Sequence, residues 1–191
     1  MIIPESLLMR HVVESSKIEG ESYSPTDPLV RSHLLAAIAV ARKAHGSGFL
    51  HPNEIHFLLY QGTEMEKIGG RLRSEDVYVG SSQMPAPEHV DTLMHCWDVL
   101  VQRYLCERGM DGKEASCRAE TLANYLLCIH PFEDGNGRTA RLVHNMLRLR
   151  QGLHWLVVKD RRRFRYFERI REVEANFKNK FPNVYSSPAS A

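Results

Sequence analysis

Twelve residues near the middle of the chain, His130-Pro131-Phe132-Glu133-Asp134-Gly135-Asn136-Gly137-Arg138-Thr139-Ala140-Arg141, gather most of the groups that could do chemistry. They supply an imidazole, a carboxylate, a glycine-rich turn and two guanidiniums. Gly135 and Gly137 flank Asn136, so the turn can reach positive φ and aim successive N–H groups at one point. If a helix opens at Arg138, its positive dipole end faces the same point and completes an anion cradle. Arg138 and Arg141 are spaced i, i+3 and can share a helix face, which suits two forks gripping phosphate oxygens. Asp134, one residue before the cradle, is a hard oxygen ligand for a Mg²⁺ bridging phosphates. His130 stands before the loop, where it can accept a proton from an attacking hydroxyl. An EF-hand is excluded, because Arg138 falls where the Ca²⁺ loop needs an oxygen. A Walker loop is excluded for want of Gly-x-x-x-x-Gly-Lys.

Helices must position these groups. Leu29 to His45 reads as a helix, opened by Pro25-Thr26-Asp27-Pro28 and stopped by Gly46-Ser47-Gly48. His51-Pro52-Asn53 opens a second, expected to run to about Lys67. Val90, Leu93, Trp97, Leu100 and Tyr104 make the apolar stripe of a third, ended by Gly109. Ala115, Ala119, Leu122, Leu126 and Ile129 mark a fourth, a core helix that delivers His130 at its C-terminal end, where Pro131 forces a turn. A fifth follows the central motif with Leu142, Met146 and Leu149 inward, and a last spans Arg161 to Lys178. Val77-Tyr78-Val79, between glycines and Met84-Pro85-Ala86-Pro87, predicts a β-hairpin flap on an otherwise all-α body. The expected layout is an N-terminal segment at 1–24, a core at 25–180 and a disordered tail at 181–191.

The chain has 191 residues, 43% hydrophobic and 25% charged, which fits one soluble globular domain. No apolar run approaches a membrane span and no secretory signal opens the chain, so a cytoplasmic protein with no membrane partner is expected. A net charge of +2 gives no reason to expect nucleic acid. Cys96, Cys106, Cys117 and Cys128 are separated by 10, 11 and 11 residues, which is not metal-ligand spacing. They are expected as small reduced core residues, and most of the ten histidines as surface or capping residues.

The central run resembles, at every fixed position, the signature of the Fic (filamentation induced by cAMP) family, His-Pro-Phe-x-Asp-Gly-Asn-Gly-Arg-x-x-Arg. Gly70-Arg71-Leu72-Arg73 with Val77-Tyr78-Val79-Gly80 resembles the family's segment through its flap, and Arg165-Tyr166-Phe167 an aromatic pair behind the nucleotide. The resemblance implies a Fic-type helical domain that transfers AMP from ATP, with Mg²⁺, to a Ser, Thr or Tyr hydroxyl of a target protein. It implies His130 as the base, Asp134 as the metal ligand and Phe132 as the loop's anchor. Gly135, Asn136 and Gly137 would form an anion hole for the α- and β-phosphates. Arg138 would contact phosphate and Arg141 the γ-phosphate, with Phe167 a candidate wall for adenine. Val77, Tyr78 and Val79 would align the target by strand pairing. Gly at 137, where a phosphorylating relative carries Lys, favours nucleotidyl transfer.

Ser15-Ser16-Lys17-Ile18-Glu19-Gly20 fits the family's inhibitory pattern, [Ser/Thr]-x-x-x-Glu-[Gly/Asn]. Ser15 and Glu19 share a helix face and Gly20 is a natural residue past a helix end. Glu19 is expected to pair with Arg141 and take the γ-phosphate's place, with Ser15 supporting the helix. The alternatives are removal of AMP by the same site, with Glu19 orienting water, and an inactive nucleotide-binding module. Self-modification and a homo-oligomer stay open.

Overall fold

The computed structural model describes residues 3–21, 24 and 26–185. Among them are seven α-helices and one two-stranded hairpin: α1 Glu5–Ile18, α2 Pro28–His45, α3 Pro52–Tyr60, β1 Tyr78–Val79, β2 Ser82–Gln83, α4 Pro87–Cys106, α5 Gly112–Ile129, α6 Asn136–Arg150 and α7 Arg163–Lys180. The all-α expectation and the flap both hold. None of these helices is long and apolar enough to cross a membrane.

The helix starts are written in local chemistry. Asp27 accepts from the Leu29 N–H at 2.8 Å with Pro28 at the first helical position, and Asp111 caps α5 through the Glu114 N–H at 2.8 Å. At α3 the His51 ring accepts from the Asn53 N–H while Glu54 returns a bond to the His51 N–H. α6 is the hub, packed against α5, α2 and α3, while α5 also carries α4 and α7. Leu142, Val143, Met146 and Leu147 on α6 are fully enclosed. Polar atoms driven into this core find partners: Trp97 Nε1 donates to the Leu122 carbonyl at 2.8 Å, and the Tyr104 hydroxyl to that of Ala115 at 3.0 Å. α1 lies over α2 on a stripe of Leu8, His11, Val12, Ser15 and Ile18.

Several expectations need correction. The helix opened at Pro52 stops at Tyr60, because Gly62 turns with φ +73° and the Thr63 hydroxyl takes the Tyr60 carbonyl at 2.7 Å; only a 3-10 turn, Glu66–Ile68, follows. In α4 the inward residue is Val101, not Leu100, which is 38% exposed; the stripe therefore steps i, i+3, i+7, i+11, i+14. Leu149 is only partly buried and Leu147 fills the core instead. Cys96, Cys106 and Cys117 are exposed, and Cys128 alone is buried. The tail expected to be disordered from 181 begins with a 3-10 turn, Pro182–Tyr185, whose Val184 carbonyl accepts the Ala86 N–H at 2.8 Å; residues 186–191 lie outside the described set. Pro25 also lies outside it.

Four histidines, His11, His33, His56 and His144, are core residues. Burial holds His11 and His144 at about 3 and His56 at about 4, with His33 well below the ordinary histidine range. Above about pH 6.5 these rings are neutral in folded and unfolded chains alike. Below it only the unfolded chain takes up the protons, until the folded values of His11, His144 and His56 are reached near 3–4, so stability is lost as pH falls through that window. The thermal midpoint should therefore drop between pH 6.5 and 4, and His144→Gln should make the slope shallower. Identical slopes for the two proteins would show that this ring is not held neutral.

Candidate active site

Six residues, 130–135, carry the chain from α5 into α6, and two need a backbone that L residues avoid. His130 ends α5 in the left-handed region, φ +52° and ψ +60°, while Gly135 precedes α6 at φ +72°. A Cβ at Gly135 would also meet the Tyr60 hydroxyl at 2.7 Å. Asn136 fastens the turn: its Oδ1 accepts the Phe132 N–H at 3.0 Å and its Nδ2 donates to the Phe132 carbonyl at 2.8 Å. Phe132 is fully buried and stacks on the His56 ring, centroids 3.9 Å apart and planes 9° from parallel. It is the loop's anchor. Asn136 therefore spends its side chain on the turn, leaving only its backbone N–H to face a ligand.

Three residues that sequence reasoning missed hold this turn. Arg73 donates from Nε to the His130 carbonyl at 2.7 Å, from Nη1 to the Glu75 carbonyl at 2.8 Å and from Nη2 to that of Pro85, while its own N–H bonds the Pro131 carbonyl at 2.9 Å. His56 accepts the Gly70 N–H at Nδ1, 2.9 Å, so its Nε2 carries the proton given to the Asp134 carbonyl at 2.8 Å. Tyr60 donates to Asp134 Oδ2 at 2.7 Å, and Arg138 Nη2 reaches the same oxygen at 3.0 Å and the Tyr60 hydroxyl at 2.9 Å. Burial opposes ionisation of Asp134, but Tyr60 and Arg138 outweigh it and hold the carboxyl below its usual range. The spacing of Tyr60 four residues after His56 was a helical-face signal, whereas Arg73, though inside the segment that resembles the family's approach to the flap, was given no role.

The helix at the cradle opens at Asn136, two residues earlier than the sequence suggested. Its first-turn N–H groups have no intrahelical acceptors. Gly137 is helical, not left-handed; a Cβ there would run into Glu19 Oε1, the far end of a side chain that would have to move aside. Arg138 and Arg141 do not form one grip. Arg138 turns to Asp134 and Tyr60, and its Nη1 lies 3.9 Å from Glu21. Arg141, 3% exposed, gives Nη2 to Glu19 Oε1 at 2.6 Å and to the Ser15 carbonyl at 3.0 Å, and Nε to the Ser15 hydroxyl at 2.8 Å. Ser15 thus binds Arg141 directly and does more than support its helix. α1 ends with Glu21 N–H bonding the Ser16 carbonyl and Gly20 N–H that of Lys17, at 3.1 and 3.0 Å, with Gly20 at φ +82°.

Two cavities meet at this point. One, of about 370 Å³, runs from Glu19, His130 and Arg141 past the flap to Phe167 and Glu174. The other, of about 300 Å³, is lined by Val77, Tyr78, Glu133, Asp134 and Arg138. Glu19, His130 and Gly137 border both. Burial, helped by Arg73, pushes His130 down to about 4, so the ring is neutral near pH 7 and able to accept a proton. The flap pairs Tyr78 with Gln83 and Val79 with Ser82, and leaves Tyr78 and Val79 at 61% and 49% exposure. Among the described residues no three His, Cys, Asp or Glu side chains converge on a metal position; Asp134 offers a single carboxylate.

The all-helical body thus carries a helix start just after a left-handed glycine, a neutral histidine at the preceding helix end and a hairpin flap. The Fic/DOC family profile matches residues 51–147, half of the chain, and the chain belongs to that family. Proteins named protein adenylyltransferase Fic are 33% identical over 105 residues in Aedes aegypti and 36% identical over 104 residues in Drosophila melanogaster. Both matches take in 52% of this chain, which spans about a fifth of the length of these curated relatives. In fold it is similar to a Fic domain-containing signalling protein from Bacteroides thetaiotaomicron, with a TM-score of 0.72 at 17% identity over 95% of this chain and 84% of that one. Fic-1 from C. elegans gives 0.69 at 19% identity over 92% and 57%.

The turn's dependence on Arg73 is measurable. Arg73→Ala leaves several buried carbonyls without their charged donor and should lower stability by on the order of 2–4 kcal/mol. It should also move the His130 ring resonances. An unchanged urea midpoint with unmoved resonances would show that the turn holds without it.

Proposed function

We propose that the chain is a self-inhibited protein adenylyltransferase, transferring AMP from ATP to a hydroxyl on a target protein. The observation that carries this reading is the Glu19–Arg141 contact at 2.6 Å: a carboxylate stands on a buried guanidinium at the N-terminus of α6, beside a neutral histidine. That is where a terminal phosphate would be held. Glu21 extends the same block toward Arg138. The names of the relatives support AMP as the group transferred.

In the reaction the target hydroxyl oxygen forms a bond to the α-phosphorus while the bond from that phosphorus to the bridging oxygen breaks. His130 takes the hydroxyl proton, and pyrophosphate leaves with the electron pair. Asp134 would hold a Mg²⁺ through its carboxylate, and the ion would neutralise phosphate charge. The first-turn N–H groups of α6 and the forks of Arg138 and Arg141 bind the phosphates. The exposed edge at Tyr78 and Val79 offers backbone groups to an extended target segment.

Two experiments test the reading. Glu19→Gly should raise labelling from α-labelled ATP by about ten- to hundred-fold, since a charge-assisted bond of roughly 1.5–3 kcal/mol no longer competes with phosphate. Ser15→Ala should give a smaller rise and Glu21→Gln a smaller one still. Equal labelling by the unmodified and Glu19→Gly chains at several ATP concentrations would remove the self-inhibition. In the Glu19→Gly background, His130→Ala should cut labelling by about 10²–10⁴-fold with ATP binding retained. Because only the neutral ring accepts a proton and its pKa is about 4, activity should persist to about pH 5 and fall toward 4. Undiminished labelling by the His130→Ala chain would take the ring out of the reaction.

A further inference from the structure

We propose that His11 and His33 form an acid-sensitive latch under α1: when the pair takes up a proton, the helix leaves the core and lifts Glu19 off Arg141. The inference rests on the self-inhibition reading and names a signal that removes the block.

The two rings meet at the seam that the inhibitory helix must keep closed. α1 packs on α2 and touches α6. His11 comes from α1 and His33 from α2; they are 1% and 2% exposed, and their rings meet edge to face with centroids 5.8 Å apart. The Trp155 ring packs against His11 in the same manner at 5.3 Å. His11, Ser15 and Glu19 follow one another at i, i+4 and i+8 and so share a face. The seam therefore lies one turn from the Ser15–Arg141 bond and two from the Glu19 carboxylate.

Neutral rings fit this seam and charged ones do not. A protonated imidazole must donate from both nitrogens. Nε2 of each ring has no hydrogen-bond partner of ordinary length among the described residues. The charges that act on the rings are positive: Arg141 on both, Arg138 on His33, and His144, when protonated, on His11. Glu14 of α1 is engaged by the Asp160 N–H, and Glu19 by Arg141. Only the Leu156 backbone favours a proton on His11. Burial above all, then Arg141, holds His11 at about 3; burial, then His11 itself and the two arginines, holds His33 well below the ordinary range.

Once α1 leaves, His11 regains water and a value of about 6.5. The docked value is the lower one, so docking has its full strength above about pH 6.5 and weakens as pH falls toward 3. At pH 5.5 the released state gains about ten-fold from His11 alone, and more as His33 is uncovered. His130, at about 4, is still neutral there and able to accept a proton. The latch thus opens before the base is lost.

The test follows labelling from α-labelled ATP by the full chain at pH 7.5 and 5.5, divided by that of the Glu19→Gly chain, which cancels the pH dependence of transfer itself. This ratio should rise about ten-fold on acidification. His11→Phe, which fills the seam and cannot titrate, should remove most of the rise, with His33→Phe acting alike and His11→Gln serving if the Phe variant does not fold. Hydrogen exchange reads docking without catalysis: protection of the α1 amides relative to those of α5 should fall about ten-fold between the two pH values, and much less in His11→Phe. A rise in labelling that persists undiminished in the His11 and His33 variants overturns the latch, as does equal α1 protection at both pH values. Acid loss of α1 protection with no labelling by the Glu19→Gly chain at either pH would keep the latch and overturn the nucleotide-transfer reading instead.

Discussion

The reversal between α5 and α6 is the constraint on which the rest of the site depends. Six residues must turn one helix into the next, and His130 pays for this with a left-handed backbone that costs on the order of 1 kcal/mol or more. The surroundings over-determine it. Arg73 holds the His130 carbonyl, Asn136 laces the Phe132 peptide, and His56 bonds the Asp134 carbonyl while stacking on Phe132. The imidazole is therefore aimed by the backbone it sits on. The ring also has a backbone hydrogen-bond partner at Leu127.

The second constraint is the cost of two buried guanidiniums. Arg138 and Arg141 are 4% and 3% exposed, and each is given at least one oxygen partner by an element distant in sequence. Tyr60 and Asp134 serve Arg138, while Ser15 and Glu19 serve Arg141. His11 and His33, packed edge to face with centroids 5.8 Å apart beside these cations, stay uncharged, because burial and the neighbouring positive charge both oppose protonation. α1 and the residues that cap it thus bring one neutral ring, His11, and the carboxylates of Glu19 and Glu21 to the arginines.

Much of this was legible in the sequence, for identifiable reasons. Pro28, Asp27, Asp111 and the His51 cap announce helix starts through bonds within a few residues. The central motif is contiguous, so His130, Asp134 and the glycines could be assigned together. What was not legible is long-range. Arg73 reaches a carbonyl 57 positions away, and Tyr60 a carboxylate 74 away. Histidine's ambiguous polarity hid His11, His33, His56 and His144, although each falls on the inward stripe of its helix. The slip from Val101 to Leu100 arose because both fit a helical period within one residue. Gly137 was read as a turn glycine, whereas it is helical and borders the Glu19 carboxylate.

The capping of α1 has a consequence for the length of the chain. From Ser15 to Glu21 the backbone is closed on itself by the two terminal bonds around Gly20. One residue added or removed between Ser15 and Glu19 would rotate the carboxylate by about 100° around the helix axis, away from Arg141. Three or four would restore the angle but displace it by about 5 Å. The stretch therefore behaves as a ruler graduated in single residues. A substitution leaves that count intact, whereas a one-codon insertion or deletion changes it.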